Sequence, residues 1–380
     1  MKNIRIEKIR NQKQWKLFVE TPWALYSSTP QWVPPLKADI LELLNVSKHP
    51  YYRHASIAGF LAYQGDQIVG RIVAVDDPRY REFQNQEIGF FGFYESVDDH
   101  QVCHMLFEAA KKWLSQRGLF EMIGPLNPGT NYECGLLIDG FNYPPSVMMP
   151  YTASYYPSLF EKIGLSKAKD LYAYKIPTSA EFSHSIQAHA KRLKHKTGVS
   201  FRSIDMRKYD SEVKKIHEIY NDAWETNWGF VPMTPLEFHH MAKQMKLILN
   251  PDLLLIAEVE GEAVGFGLAL PDIHQALIKN KKGKLLPGIL RLLWGLKGPV
   301  KRKVISEVRV ITLGVKKEFM GRALGPLFYM EFLNRAHEQG YSGGEASWIL
   351  EDNVAMNKAL MRMGAERYKS YRIYQMNWKR

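Results

Sequence analysis

Between Ile311 and Gly325 the sequence runs Ile-Thr-Leu-Gly-Val-Lys-Lys-Glu-Phe-Met-Gly-Arg-Ala-Leu-Gly, and an amphipathic stretch from Pro326 to Ala336 follows. A strand that ends in a glycine-bearing turn and enters a helix aims unsatisfied backbone N–H groups and the positive end of the helix dipole at one point. Such a point binds phosphate. Lys316, Lys317 and Arg322 add positive charge around it, and Gly321, Ala323 and Gly325 are small enough to let an anion approach the backbone. The same pattern also describes a glycine-bearing turn with solvated charges, so the elements around it must decide.

The chain has 380 residues, 46% hydrophobic and 24% charged, which suits two globular domains and excludes disorder, collagen and coiled coil. Fifty-one Lys and Arg against 39 Asp and Glu give a net charge of +12, which favours anionic partners without naming one. Two cysteines, Cys103 and Cys134, exclude a disulfide framework and argue against a zinc cage, so no metal is expected. The first ten residues alternate charged and apolar side chains and read as a strand, not a signal peptide. Leu285 to Leu296 is the most apolar stretch, yet it carries Pro287 and Arg291 and falls short of the roughly 20 residues of a membrane span. A cytoplasmic protein is expected.

An internal repeat organises the chain. Ala62, Val69, Gly70, Ala74 and Asp77 recur as Ala257, Val264, Gly265, Ala269 and Asp272, each set inside a strand, polar turn, strand pattern. Gly164, Lys169 and Tyr174 recur as Gly364, Lys369 and Tyr374 inside a closing pair of strands. Each copy has a first strand (4–9; 199–204), helical segments (12–20; 211–226), the hairpin, another strand, and a long amphipathic helix (98–116; 323–339). A further strand, a short helix and the closing strands complete it. The expected organisation is an α/β chain with an N-terminal module over 1–178, a helical linker over 179–198, and a C-terminal module over 199–380 that carries a basic insertion at 275–303.

With the turn at 311–325 placed between a strand and a long helix, the sequence resembles the GNAT superfamily of acyl-CoA-dependent acyltransferases. That family's pyrophosphate loop follows the pattern Arg/Gln-x-x-Gly-x-Gly/Ala. Here Met320 holds the basic or amide position, Ala323 replaces the first glycine and Gly325 satisfies the last. Tyr341 to Leu350 reads as the family's strand five, and Asp352 to Ala365 carries the Asn, apolar spacing and Gly that close its helix four. The resemblance covers both halves in strand order and implies two GNAT-like modules, each a mixed, mostly antiparallel sheet flanked by helices. The first half is degenerate: Gly89 to His100 offers Asp98 and Asp99 and no glycine cluster where phosphates would sit, which opposes a second cofactor.

The resemblance implies one acyl-CoA per chain, as acetyl-CoA or a longer acyl-CoA. Backbone groups of Ile311, Leu313 and Val315 would meet pantetheine. Met320, Gly321, Arg322, Ala323, Leu324 and Gly325 would hold the pyrophosphate, and Asn353 would lie near the cofactor. The reaction needs a neutral amine, an aligned thioester and a donor to the developing oxyanion. Glu307 and Glu345 are the candidate bases, each also readable as a solvated strand residue. The family's general-acid tyrosine falls on Leu360, so Tyr374 or Tyr371 stands as a substitute.

Loops rich in Asn, Tyr and Pro supply candidate acceptor contacts at Asn131, Tyr132 and Tyr151, and Trp224 and Trp228 do so in the second half; interdomain packing would explain the first set equally well. Cys134 reads as a small buried thiol more readily than as a nucleophile. From Lys279 to Lys303 no acidic residue interrupts Leu, Ile and Trp interleaved with Lys and Arg. That composition fits an interfacial helix on anionic lipid, a cap over an acyl chain, or a packed helix with a basic solvated face. Nucleic acid is not expected, because no binding motif accompanies the charge.

The sequence is therefore read as an acyl-CoA-dependent N-acyltransferase with a small-molecule amine or amino-acid-like acceptor held between the halves. The alternatives are an aminoacyl-tRNA-dependent peptidyltransferase-like enzyme and a catalytically inactive ligand-binding relative.

Overall fold

The computed structural model describes residues 3–178, 184–286 and 304–379, with Gly288, Leu290, Leu292 and Leu296 in the stretch between the last two. Residues 287, 289, 291, 293–295 and 297–303 of the basic insertion expected at 275–303, and residues 179–183 of the expected linker, lie outside the described residues. The chain divides into two compact units: Met1–Leu171 with Leu277–Leu290 and Lys369–Arg380, and Tyr172–Ala276 with Arg291–Tyr368.

In the first unit, strands β1 (Ile4–Lys8), β2 (Ser56–Gln64), β3 (Gln67–Asp76) and β4 (Gly89–Ser96) form antiparallel neighbours in that order. β4 then runs parallel to β5 (Glu121–Gly124), with Gly89 opposite Met122 and Phe90 opposite Ile123. A small hairpin, β6 (Leu126–Asn127) with β7 (Glu133–Cys134), and strand β8 (Leu136–Asp139) follow. The helix His100–Ser115 lies on this sheet because Val102, Cys103, Leu106, Phe107, Ala110, Trp113 and Leu114 recur at helical spacing and are all buried. Strand β9 (Ser166–Pro177) begins in this unit and passes into the second at Tyr172.

The second unit repeats the plan with β10 (Ser200–Ser203), β11 (Leu254–Val259), β12 (Glu262–Pro271) and β13 (Glu307–Val315) as antiparallel neighbours. β13 runs parallel to β14 (Gly343–Leu350), and the second-unit part of β9 lies beside β14. Strand β15 (Glu366–Asn377) enters the first unit at Lys369 and pairs there with β5 and β8. Each copy thus closes with one twelve-residue strand, not the expected pair. The closing strand of the first copy completes the second unit's sheet, and that of the last copy completes the first unit's sheet. Both sheets are mixed and mostly antiparallel, as the sequence indicated.

The hairpins form where expected. Gly65 turns the first at φ +59°, and Glu260 and Gly261 turn the second at +52° and +83°, left-handed geometry that suits such turns. A helix over His184–Thr197 occupies the expected linker. No helix among the described residues is long and apolar enough to cross a membrane, and no cluster among them is arranged to hold a metal ion.

Candidate functional site

β13 and β14 start side by side and then part. Their parallel pairing runs from Glu307 opposite Gly343 to Val310 opposite Ala346 and goes no further, while β13 stays paired with β12 as far as Val315. Two residues past the last rung, Trp348 takes φ +59°, a left-handed turn that costs a bulky residue on the order of 1–2 kcal/mol and redirects the strand. Ile311, Leu313 and Val315 therefore lie along the strand edge from which β14 has departed.

β13 leads into a short 3-10 turn, Lys317–Phe319, and then the fifteen-residue helix Leu324–Glu338. Gly321 at φ +80° and Ala323 at +59° reverse the chain; Ala323 is the N-cap, and no side chain caps the helix. The first N–H groups of the helix thus keep their unsatisfied character. A Cβ built on Gly325 would meet only the Met356 methyl at 3.4 Å. The turn fits a pyrophosphate through its backbone more than through its cations. Lys317 pairs with Glu225 and its N–H donates to Asp222 at 2.8 Å, and Lys316 pairs with Glu262. Arg322 is exposed and stacked 4.6 Å over the Phe319 ring, and Met320 is also exposed.

At the foot of the parting strands sits a buried ion pair. Arg309 and Glu345 face each other across one rung, both almost fully buried, 3.5 Å apart. The Arg309 Nε donates to Ser347 Oγ at 2.6 Å, its guanidinium lies 4.6 Å over the Trp348 ring, and Tyr368 donates its hydroxyl to Glu345. Glu307 lies at the opposite end of the paired segment, 3.2 Å from Lys175 Nζ, about 10 Å short of the last rung at 3.3 Å per residue.

Asn353 caps the helix Val354–Arg362, accepting from the Met356 N–H at 3.1 Å. Tyr174 on β9 donates its hydroxyl to Asn357 Oδ1 at 2.7 Å, one turn before Leu360. Burial raises this phenol above its ordinary value, with Arg367 opposing, so it stays protonated at neutral pH. Tyr371 and Tyr374 belong to the first unit, where Tyr374 packs edge-on against Phe160 and burial pushes its hydroxyl up to about 12. Tyr174 is the residue that the sequence reading passed over. The signal was present, since Tyr174 and Tyr374 occupy equivalent positions in the repeat.

The expected acceptor residues fall in both units. Trp224 stacks on Tyr220, and the helix that carries it also supplies Asp222 to the Lys317 amide; Trp228 follows it by four residues. In the first unit Tyr132 packs against Tyr51 and His49, next to Asn131, and Tyr151 meets Tyr26 edge-on. Cys134 is buried.

No family model matches the chain. A tandem GNAT protein from the clavulanic acid biosynthesis pathway superimposes with a TM-score of 0.57 at 13% identity, covering 99% of this chain and 98% of its own. A GCN5-related N-acetyltransferase from Sphaerobacter thermophilus gives 0.53 at 12%, covering 98% and 95%. These establish the fold as tandem GNAT. The bacterial ceramide synthase of Caulobacter vibrioides is 37% identical over 373 residues, 97% of this chain and 96% of its own. The chain belongs to the family of that protein. Protein YghO of Escherichia coli is a further relative of this family member, 36% identical over 371 residues and covering 96% and 93%. Neither the tRNA-dependent nor the inactive alternative is favoured by these relatives.

Proposed function

We propose that this ceramide-synthase family member is an acyl-CoA-dependent N-acyltransferase that joins a long acyl group to the primary amine of a long-chain amino alcohol. The observation that carries the acyl-CoA part is the opening between β13 and β14 leading to an uncapped helix N-terminus. The substrate class rests on the bacterial ceramide synthase, since a ceramide is an N-acylated amino alcohol.

An acyl thioester would supply the activated acyl carbon. Ile311, Leu313 and Val315 would offer backbone groups to its pantetheine arm, and Met320 to Gly325 would hold its pyrophosphate. Asn353, as the cap of the helix beyond β14, would border the cofactor. Glu345, one rung below the opening, is the proton acceptor for the attacking amine; Glu307 is too far down the strands to act without a relay. Tyr174 would donate the proton that the departing sulfur needs. Asn131, Tyr132, Tyr151, Trp224 and Trp228 are the proposed acceptor contacts.

The test is to mix the purified protein with palmitoyl-CoA and sphinganine, following thiol release and the amide by mass spectrometry. Amide formation with one thiol per product supports the reading. Thiol release without amide, or no reaction with any long-chain amine, overturns it. In Glu345→Gln the rate should fall about 100-fold or more, in keeping with the loss of general-base help.

A further inference from the structure

We infer that Lys281, Lys282, Lys284, Leu285, Leu286 and Leu290 form a docking surface for an anionic lipid bilayer. From Ile273 to Ser306 the chain has no acidic residue, while nine Lys and Arg fall between Lys279 and Lys303. The described part of this stretch is held to the first unit through its backbone. Trp23 Nε1 donates to the Lys281 carbonyl at 2.9 Å, the Lys37 N–H donates to the Gly283 carbonyl at 3.0 Å, and Asn280 donates to the Lys284 carbonyl at 2.8 Å. A side chain at Gly283 would collide with Trp23 at 2.3 Å, and one at Gly288 would crowd Asn280 and Leu36.

Anchored in this way, the segment presents apolar side chains outward. Leu285, Leu286 and Leu290 are 45%, 65% and 61% exposed, on helical residues, with Lys281, Lys282 and Lys284 exposed just before them. A packed helix would bury its leucines and leave its lysines in water; here both face solvent together. Three exposed leucines beside a run of cations without a counter-charge match an interface with an apolar interior and a negative surface. The inference goes beyond the reaction and does not depend on it.

The test is co-sedimentation of the full chain with large unilamellar vesicles, either phosphatidylcholine alone or phosphatidylcholine with one-third phosphatidylglycerol. The expected result is binding to the phosphatidylglycerol vesicles, weakened by salt, and about ten-fold less for the triple variant Leu285→Glu, Leu286→Glu, Leu290→Glu. Because those side chains are exposed, the variant should keep its circular dichroism and melting temperature. A second variant, Lys281→Ala with Lys282→Ala and Lys284→Ala, should lose the preference for phosphatidylglycerol. Wild type that stays in the supernatant with both vesicles, or either variant binding as wild type does, overturns the inference. Protein that sediments but fails to acylate any amine overturns the proposed reaction alone.

Discussion

The same place in the fold is built in two ways. In the second unit β13 and β14 part, and the turn from Lys316 to Ala323 delivers an uncapped helix. In the first unit β4 and β5 are also parallel and also part, but the chain fills the gap. A Cβ on Gly92 would lie 1.9 Å from the Leu126 carbonyl oxygen, and the Phe93 N–H donates to Asn127 Oδ1 at 2.6 Å. The turn to the helix shrinks to Val97–Asp99, and the Asp99 carboxylate accepts from the N–H groups of Gln101 and Val102. A carboxylate thus caps the helix in one unit at the position where no side chain caps it in the other. A short loop and one acidic cap are enough to close a helix end that the other unit leaves uncapped.

The buried charges differ in parallel. Arg71 donates to the Phe18 carbonyl at 2.7 Å and lies 3.7 Å from Glu95, which also accepts from Tyr26 and Tyr156 at 2.6 and 2.8 Å. Burial raises the Glu95 carboxyl, against the pull of Arg71. Glu95 sits at the level of Gly314 in the second unit, because Gly70 opposite Ser96 matches Gly265 opposite Val315. The first unit fills with a hydrogen-bonded carboxylate the level at which the second keeps a bare backbone.

The largest expected effect follows from breaking the second unit's buried pair. Arg309→Ala leaves Glu345 without its cation and should cost about 3–5 kcal/mol in chemical denaturation; a loss under about 1 kcal/mol would show that the pair does not hold the strand junction. Next comes the choice of tyrosine. Tyr174→Phe should lower kcat about 10- to 100-fold with KM little changed, whereas Tyr374→Phe should stay within about two-fold, and the reverse order would return the acid role to Tyr374. Removing the first unit's cap by Asp99→Ala should cost about 1 kcal/mol of stability and leave acyl-CoA affinity unchanged. The smallest effect concerns pH. Burial works to raise the Asp170 carboxyl, but hydrogen bonds from Arg372 at 2.7 and 3.0 Å and from Lys167 hold it below its ordinary value. A lowered folded value gives stability that is present above the unfolded value and lost as pH falls below about 4. Arg372→Ala should flatten that acid limb in denaturation midpoints between about pH 5 and 3.

Much of this arrangement was legible in the residues. The hairpin repeat, the long amphipathic helices and the glycine turn announce themselves by period and by residue type, and the acidic residue that caps the first unit's helix, Asp99, stood at that place in the sequence. The exchange of closing strands was not legible, because β9 and β15 carry the same Lys and Tyr spacing and either would satisfy either sheet. Which neighbour each takes is a tertiary choice, and it moved Tyr374 to the first unit and Tyr174 to the second. The pairing of Lys316 and Lys317 with Glu262 and Glu225 was hidden for the same reason: the partners lie on distant segments. Arg309 escaped notice because a charged residue inside a strand reads as solvated until its burial is known.

The most direct measurement is isothermal titration of the full chain with palmitoyl-CoA, on wild type and on Gly325→Glu. The account predicts one site per chain, abolished by a carboxylate placed in the first turn of the Leu324–Glu338 helix, with Asp99→Ala titrating as wild type does. Two sites per chain, or binding that survives Gly325→Glu, would contradict the difference between the two units.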